Sequence, residues 1–298
     1  MKRFVLFVLV AGLVLAVGSA WALTLQPNVL GTQPWNGGTP GSPLLVGDAN
    51  EDGTPYWDGN SKDFTEPGNI GNFLAKTGAF SNHPLSPGVA YPYVASSPAG
   101  DLDIYFTTDA PNWASIRIEV AGLEEVNYFG VYKKDSPPTS LDDLIGLSSS
   151  ANHIRLFTGA EGAGATKTFT IPAAWGGQFG WYLATEDWQI DPITGKRVSS
   201  GTGKAAWAWF SQSQYNVHVK TNPLAPQPNK QVQHFAFFVV KPNQAYYIGV
   251  EDYTVESSVF DADYQDLVVF ASVIPDASTW MLFLSGMPAL ALLRRKRA

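Results

Sequence analysis

The chain has 298 residues, of which 45% are hydrophobic and 15% charged, so it has enough apolar material for a folded core. Asp and Glu (26) outnumber Lys and Arg (19), and the net charge is −7. This balance argues against nucleic-acid binding, which needs a basic surface to neutralise phosphates. The sequence has no cysteine, which excludes disulfides, thiolate metal sites and thiol nucleophiles.

The N-terminus has the three parts of a secretory signal peptide. Lys2 and Arg3 precede an apolar run over 4–17, and Ala20-Trp21-Ala22 forms a small-residue cleavage site. We predict export by the Sec machinery and cleavage after Ala22 by signal peptidase. An uncleaved membrane anchor is the alternative, but a helix over 4–17 reaches only about 21 Å, less than the ~30 Å hydrocarbon core.

The C-terminus carries a second targeting segment, 273–298. A short polar motif is followed by an apolar stretch over 280–293 and a terminal basic cluster. The apolar stretch is suited to entering the inner membrane transiently, while the basic cluster stays cytoplasmic under the positive-inside rule. The residues of the motif and of the cluster are Pro275, Asp276, Ala277, Ser278, Arg294, Arg295, Lys296 and Arg297.

This end of the chain resembles the PEP-CTERM sorting signal of Gram-negative bacteria, with Asp276 in place of the motif's Glu and Ala277 in place of its second Pro. The resemblance implies export across the inner membrane and processing by an exosortase. It also implies release to the cell surface or to the extracellular polysaccharide matrix. A plain C-terminal membrane anchor is the alternative.

Between the two targeting segments the pattern predicts β-structure. Residues 23–100 are rich in Gly, Pro, Asn and Ser and predict an irregular region with two or three short strands. From residue 101, apolar and polar residues alternate with period two. The eleven strands predicted there are 102–108, 115–121, 128–133, 153–158, 167–171, 179–184, 205–210, 214–220, 232–240, 246–251 and 266–272.

A single short helix is predicted between the targeting segments, over 140–147, with Ser140 as its N-cap before Asp142 and Asp143. The fold class that follows is all-β, an antiparallel β-sandwich of jelly-roll type over 101–272. A signal helix in 1–22 and a short hydrophobic helix in 273–298 are predicted to flank it.

The range 179–272 resembles the domain-of-unknown-function family 4114, whose members often precede PEP-CTERM signals. The family's hallmark is a Gly-Phe-Glu-Asp-like strand end, for which this chain has Gly249-Val250-Glu251-Asp252. An Asp-x-Asp-Tyr-Asn-Asp-like loop then opens the last strand, and here it is 261–266, with Gln265 for the Asn. The family has no established reaction, so the resemblance implies a fold and a location without a catalytic role.

Six carboxylates fall within the range 251–266, and no Lys or Arg lies between Lys241 and Arg294. Carboxylates brought together repel one another unless solvent or a cation relieves them, and oxygen ligands in a loop suit Ca²⁺. An antiparallel pairing of 246–251 with 266–272 would bring both ends of the loop together. The predicted ligands are Glu251, Asp252, Asp261, Asp263 and Asp266. The alternative is that Asp252 and Asp266 cap turns while the others are solvated.

A second candidate calcium loop contains Asp48, Asn50 and Asp52, followed by Gly53, which matches the first half of the D-x-[DN]-x-[DN]-G pattern. The bidentate Glu expected at loop position 12 is missing, because that position is Gly59. Ordinary loop chemistry explains Asp and Asn before Gly equally well.

Trp207 and Trp209 lie two residues apart in a predicted strand and so share one face. Exposed indole faces stack on sugar rings and would suit a polysaccharide partner, whereas buried ones fill a sandwich core. No complete motif of a hydrolase, nucleotide-binding loop or zinc site is present. We therefore predict a non-enzymatic protein, with a lectin-like module or a carbohydrate-active enzyme as the alternatives.

Overall fold

The computed structural model describes residues 22–26, 30–31, 93–94, 104–119, 123–216, 234–241, 243–252 and 266–274. Within these ranges the protein consists of antiparallel β-sheets with few helical turns, which confirms the all-β class. The described ranges contain no helix with the length and apolar composition needed to cross a bilayer. The helices predicted for 1–22 and 273–298 lie outside the described residues, except for Ala22, 273 and 274.

One sheet, sheet A, has six strands: β1 (Leu23–Gln26), β4 (Tyr105–Thr108), β6 (Asn127–Lys133), β7 (His153–Thr158), β9 (Gln178–Glu186) and β12 (Ala205–Phe210). Their order is β1-β4-β9-β6-β7, and β12 pairs with the C-terminal part of β9. All of these pairs are antiparallel.

The other sheet, sheet B, has seven strands: β2 (Leu30–Gly31), β3 (Tyr93–Val94), β5 (Asn112–Glu119), β8 (Thr166–Phe169), β13 (Phe235–Lys241), β14 (Ala245–Val250) and β15 (Leu267–Val273). Their order is β2-β3-β13-β14-β15-β5-β8. A separate hairpin is formed by β10 (Trp188–Ile190) and β11 (Arg197–Ser199).

The two sheets pack face to face over one aromatic core. Phe106 of sheet A lies 5.5 Å from Phe237 and 5.1 Å from Tyr246 of sheet B, measured between ring centroids. Trp181 of sheet A is fully buried and stacks on Phe129 at 5.3 Å. Because each such ring buries about 150–250 Å², these contacts account for much of the apolar burial between the sheets.

The outer face of sheet A is covered by a short helix, α1 (Asp142–Gly146). Its buried residues Leu144 and Ile145 belong to a second apolar cluster with Tyr132, Tyr182 and Phe210 of the sheet. Beneath α1, sheet A is therefore buried on both faces.

Two tyrosines of this cluster lie over glycines on the paired strands β6 and β9. The register places Gly130 opposite Tyr182 and Gly180 opposite Tyr132. A Cβ on Gly130 would lie 2.8 Å from the Tyr182 ring, and one on Gly180 would lie 2.5 Å from the Tyr132 ring. Glycine is required at both positions because each ring occupies the space of the missing side chain.

Strand β9 changes its partner from β4 to β12 at Trp181, and Ser211 joins the two ladders. The Trp181 amide donates to the Ser211 hydroxyl (3.0 Å), which in turn donates to the carbonyl of Ile104 (2.8 Å). The Ser211 amide donates to the Trp181 carbonyl (2.9 Å). One side chain thus satisfies backbone groups that the interrupted ladder leaves buried.

Ten of the eleven strands predicted from residue 101 onwards overlap an observed strand, and those over 153–158 and 205–210 have the observed ends. The strand predicted over 214–220 is wrong at its start, because Ser213–Tyr215 is a 3-10 turn. Asn216 promotes this turn, since its side-chain oxygen accepts the Phe210 amide at 2.6 Å. Residues 217–220 lie outside the described residues.

The helix predicted over 140–147 is present but shorter, and the predicted Ser140 cap is wrong. Leu141 occupies the N-cap position, and no side-chain cap is formed. The Ser140 carbonyl instead accepts the Asp143 amide (3.2 Å), while Asp142 accepts the Ala205 amide of β12 (2.8 Å). The first turn is therefore held by its contact with sheet A and not by a serine hydroxyl.

The described residues within 23–100 form three short strands, β1, β2 and β3, which agrees with the two or three predicted there. Strand β1 pairs with β4 in sheet A, and β2 and β3 extend sheet B beyond β13. The region 23–100 thus contributes strands to both sheets of the sandwich that was predicted to begin at residue 101.

Candidate metal site

The antiparallel pairing of β14 and β15 brings acidic residues together at one end of sheet B. Their register pairs Val250 with Leu267, so Glu251 and Asp252 leave β14 beside Asp266, which precedes β15. One carboxylate oxygen from each of the three acids lies within 4.8 Å of the others. This placement follows from the hairpin predicted from the sequence.

The cluster is largely withdrawn from solvent. Glu251 and Asp252 are fully buried, and Asp266 is half-buried. The Asp266 carboxylate accepts the Asp252 amide at 2.9 Å, so it joins the two strand ends between which residues 253–265 run. Buried carboxylates are costly unless hydrogen bonds or cations compensate for lost hydration, and this burial makes the cluster a candidate cation site.

Side chains of sheet A also contact the Asp252 side chain. The Asn127 amide group, at the start of β6, donates to the Asp252 carboxylate at 2.8 Å. The Asn127 side-chain oxygen accepts the hydroxyl of Thr185 in β9 at 2.8 Å. This buried chain of hydrogen bonds joins the two sheets at the acidic end of the sandwich.

Both tryptophans of β12 also contact Asp252. The indole N–H groups of Trp207 and Trp209 donate to the Asp252 carbonyl at 2.8 Å and 3.0 Å. The Trp209 ring stacks on His234 with centroids 3.8 Å apart and an interplanar angle of 1°. His234 is tied to Glu251 in turn, since its Nδ1 lies 3.0 Å from the Glu251 carbonyl and its own carbonyl accepts the Glu251 amide at 3.0 Å.

The structure corrects the prediction that Trp207 and Trp209 form a glycan-binding surface. Trp209 is fully buried, and Trp207 is half-buried and packs against the same core. The two indoles do share one face, as their spacing predicted, but that face points into the sandwich. Sugar stacking needs an open ring face, which the buried Trp209 does not offer. Trp209 instead fills the core, which was the alternative interpretation.

The remaining predicted site residues lie outside the described residues. They are Asp261 and Asp263 of the first calcium loop, Asp48, Asn50 and Asp52 of the second, and Pro275, Asp276, Ala277, Ser278, Arg294, Arg295, Lys296 and Arg297 of the sorting segment.

Three residues around the acidic cluster were not identified from the sequence: Asn127, Thr185 and His234. Asn127 and Thr185 are separated from their partners by 125 and 58 positions along the chain, and they come from the other sheet. The one available signal was a polar residue beside a strongly apolar strand, as at Asn127 before Tyr128–Tyr132, and that pattern is common at strand ends.

A further buried carboxylate, Glu186, lies outside the acidic cluster at the base of the β10–β11 hairpin. It accepts hydrogen bonds from the Tyr128 hydroxyl (2.8 Å) and the Ser199 hydroxyl (2.6 Å). Burial and the hydrogen bond to Glu186 raise the pKa of Tyr128 to about 12, so its phenol stays protonated at neutral pH. The arrangement anchors the hairpin to sheet A, with the phenol as a donor.

Comparison with known proteins finds no family model that matches the chain, no curated protein that matches it and no solved structure that matches it.

Proposed function

We propose that this chain is an exported, non-enzymatic β-sandwich protein of the exopolysaccharide or biofilm matrix of a Gram-negative bacterium, and that calcium stabilises it. The convergence of the Glu251, Asp252 and Asp266 carboxylates at the junction of the two sheets supports the calcium-binding part. The targeting segments at the two ends of the sequence support the location. We also propose that the strands of the two sheets are connected as in a jelly roll.

The acidic cluster favours Ca²⁺ on chemical grounds. Ca²⁺ takes six to eight oxygen ligands at about 2.3–2.6 Å and accepts irregular geometry. Glu251, Asp252 and Asp266 supply carboxylates from two strand ends, and we propose Asp261 and Asp263 of the connecting loop as further ligands. Extracellular calcium is often millimolar, so even a weak site would be filled after export.

The proposed export route is consistent with the start of the fold. The signal peptide predicted over 1–22 ends immediately before Leu23, the first residue of β1. Leu23 is fully buried and donates its amide to the Asn243 carbonyl at 2.9 Å. Cleavage after Ala22 would therefore leave the first strand intact. We propose an exosortase as the enzyme that removes the C-terminal segment after transient insertion into the inner membrane.

The calcium site predicts a metal-dependent melting temperature. Millimolar Ca²⁺ is expected to raise the thermal midpoint of the protein and EDTA to lower it, because an ion that binds only the folded state stabilises it by about 2.7 kcal/mol at a hundredfold excess over Kd. Asp266→Asn should abolish most of this shift, since the amide oxygen still accepts the Asp252 N–H while the charge is lost.

Asp191→Asn is the matched control for the calcium experiment. Asp191 also accepts backbone hydrogen bonds, from Ile193 (2.7 Å) and Thr194 (3.3 Å), but it lies in the β10–β11 turn and is not a member of the cluster. This variant should keep the full response to Ca²⁺. A midpoint that does not respond to Ca²⁺, or a shift that survives Asp266→Asn, contradicts the calcium site and leaves the export proposal standing.

The location predicts two processing events in the native host. Intact-mass measurement of the protein from the extracellular matrix fraction is expected to show loss of 1–22 and of roughly 276–298. Arg294→Ala, Arg295→Ala, Lys296→Ala and Arg297→Ala together remove the basic cluster and should leave the unprocessed C-terminus in the membrane fraction. Mature protein that retains Arg294–Arg297 would refute sorting by an exosortase, and absence from the matrix fraction would refute the matrix role.

A further inference from the structure

The first and last residues that the structure describes, Ala22 and Ile274, are bound to the same turn. The Ala22 amide donates to the Asp109 carboxylate at 3.1 Å, and the Ile274 amide donates to the Pro111 carbonyl at 3.0 Å. Both acceptors lie between β4 and β5. This end of the sandwich is the junction end, because the targeting segments predicted from the sequence join the fold there.

The turn between β13 and β14 holds the same two places of the chain. The Asn243 carbonyl accepts the Leu23 amide at 2.9 Å, and the Gln244 carbonyl accepts the Val273 amide at 3.1 Å. Backbone hydrogen bonds to two turns thus fix the start of β1 and the end of β15 close together. A segment that precedes Leu23 or follows Val273 therefore leaves the sandwich from the junction end.

The acidic cluster lies at the opposite end of the sandwich. Strand β9 runs from Gln178 at the junction end, where the neighbouring Gly177 carbonyl accepts the Thr108 amide, to Glu186 at the acidic end. Its nine residues separate the two ends by about 30 Å. Whatever contacts the junction end therefore lies far from Asp252 and its neighbours.

Charge is distributed unequally between the two ends. Strands β6 and β13 both finish in lysines at the junction end. Charged residues there include Lys133, Lys134, Lys241, Asp109 and Asp135, of which Lys134 and Asp135 form an ion pair. Those of the acidic end include Glu125, Glu186, Asp187, Glu251, Asp252, Asp266, Lys196, Arg197 and Lys204. An anionic lipid surface attracts lysines and repels carboxylates, so the junction end suits it better than the acidic end.

We propose that the junction end rests on the surface of an anionic bilayer while the C-terminal segment is inserted, and that the acidic end points away from the membrane. This orientation rests on the proposed insertion of that segment. The chain from Ile274 to Trp280, where the apolar stretch begins, spans about 22 Å at most. A connection of this length is shorter than the sandwich, so it keeps the junction end near the bilayer.

Other segments of the chain also join the sandwich near this surface. Residues 32–92 join sheet B on the side of the junction end, because β3 runs antiparallel to β13, and 95–103 lead into β4. Residues 217–233 and 253–265 join at the acidic end, where Phe235 pairs with Val250. Either of the first two segments, placed between the junction end and a bilayer, would hold the two apart, and that outcome contradicts the proposal.

Energy transfer from a single dye to the bilayer surface tests the orientation, because the natural chain has no cysteine. Ala151→Cys places the dye on an exposed residue of the junction end, where the Asn152 carbonyl accepts the Lys133 amide. Gln189→Cys is the matched variant, on an exposed residue of β10 beyond Glu186. The full chain is reconstituted into vesicles of phosphatidylcholine and phosphatidylglycerol that carry an acceptor-labelled lipid. Transfer from position 151 should exceed that from position 189 by about twofold or more, since the two ends lie about 30 Å apart.

The lysines provide a test of the lipid chemistry. Lys133→Gln with Lys241→Gln should lower transfer from position 151, and so should vesicles of phosphatidylcholine alone. Lys196→Gln with Lys204→Gln, at the acidic end, should leave it unchanged. Equal transfer in the two double variants would overturn the role of anionic lipid.

Two further results separate this orientation from the proposed function. Equal transfer from positions 151 and 189 in an inserted chain, or greater transfer from 189, overturns the orientation and leaves the export route standing. A full chain that does not insert into the vesicles contradicts both.

Discussion

Gly130→Ala is expected to destabilise the protein by about 3 kcal/mol, the upper part of the usual range for overpacking a core. The new Cβ would lie 2.3 Å from the backbone oxygen of Ile154 in β7 and 2.8 Å from the Tyr182 ring. The backbone oxygen cannot retreat without disturbing the β6–β7 ladder, and the Tyr182 ring is fully buried in the apolar cluster beneath α1. Both contacts must therefore be relieved by moving strands.

Thermal and urea unfolding of the variant would measure this effect. Gly146→Ala is the matched control, because no atom lies within 4 Å of its added Cβ. It lies at the end of α1, where alanine has the better helix propensity, so its stability should equal or slightly exceed that of the wild type. If Gly130→Ala and Gly146→Ala have the same free energy of unfolding, β6 and β7 separate easily at this point and the predicted clash is wrong.

The strands were predictable where apolar and polar side chains alternate over most of the strand. Ile116 and its neighbours on β5 show this pattern, and so does β7, whose ends match the prediction. The hairpin of β10 and β11 was missed because each strand has only three residues, too few to establish a period. Its turn is nevertheless encoded in the sequence, since Asp191 accepts two backbone amides and Gly195 has φ +72°.

The candidate metal site was predictable only as far as neighbouring strands define it. The order of β14 and β15 along the chain was sufficient to place Asp252 beside Asp266, because consecutive antiparallel strands return the chain to the same end of the sheet. The contribution of sheet A was not predictable in this way. Asn127 reaches Asp252 only because the two sheets stack, and no local pattern encodes which strand ends meet across a sandwich.

The tryptophan pair also shows that local sequence patterns do not define how the two sheets pack. Spacing correctly placed Trp207 and Trp209 on one face of β12, but a strand has two faces and the sequence does not say which one is buried. The structure shows that the shared face points inward, where both indoles donate to the Asp252 carbonyl. Residues considered for sugar binding thus help to position the acidic cluster.

Asn127→Ala is expected to cost about 3 kcal/mol, because the substitution removes two buried hydrogen bonds at once. Its side chain, 3% exposed, donates to the Asp252 carboxylate and accepts from the Thr185 hydroxyl. Hydrogen bonds to charged groups contribute about 1.5–3 kcal/mol, and a polar group that loses its buried partner adds its own desolvation cost. Asn152→Ala is the control, since its backbone is hydrogen-bonded in the loop before β7 and it is not part of this network.

A double-mutant cycle distinguishes loss of this network from a simple packing defect. Asp252→Ala should destabilise the Asn127→Ala protein less than it destabilises the wild type, because the hydrogen bond between the two side chains is already gone. The expected difference between the two losses is at least about 1 kcal/mol. Independent sites more than about 7–10 Å apart would add to within roughly 0.5 kcal/mol. Additive losses in urea unfolding would therefore show that Asn127 stabilises β6 locally and that its hydrogen bond to the Asp252 carboxylate does not hold the two sheets together.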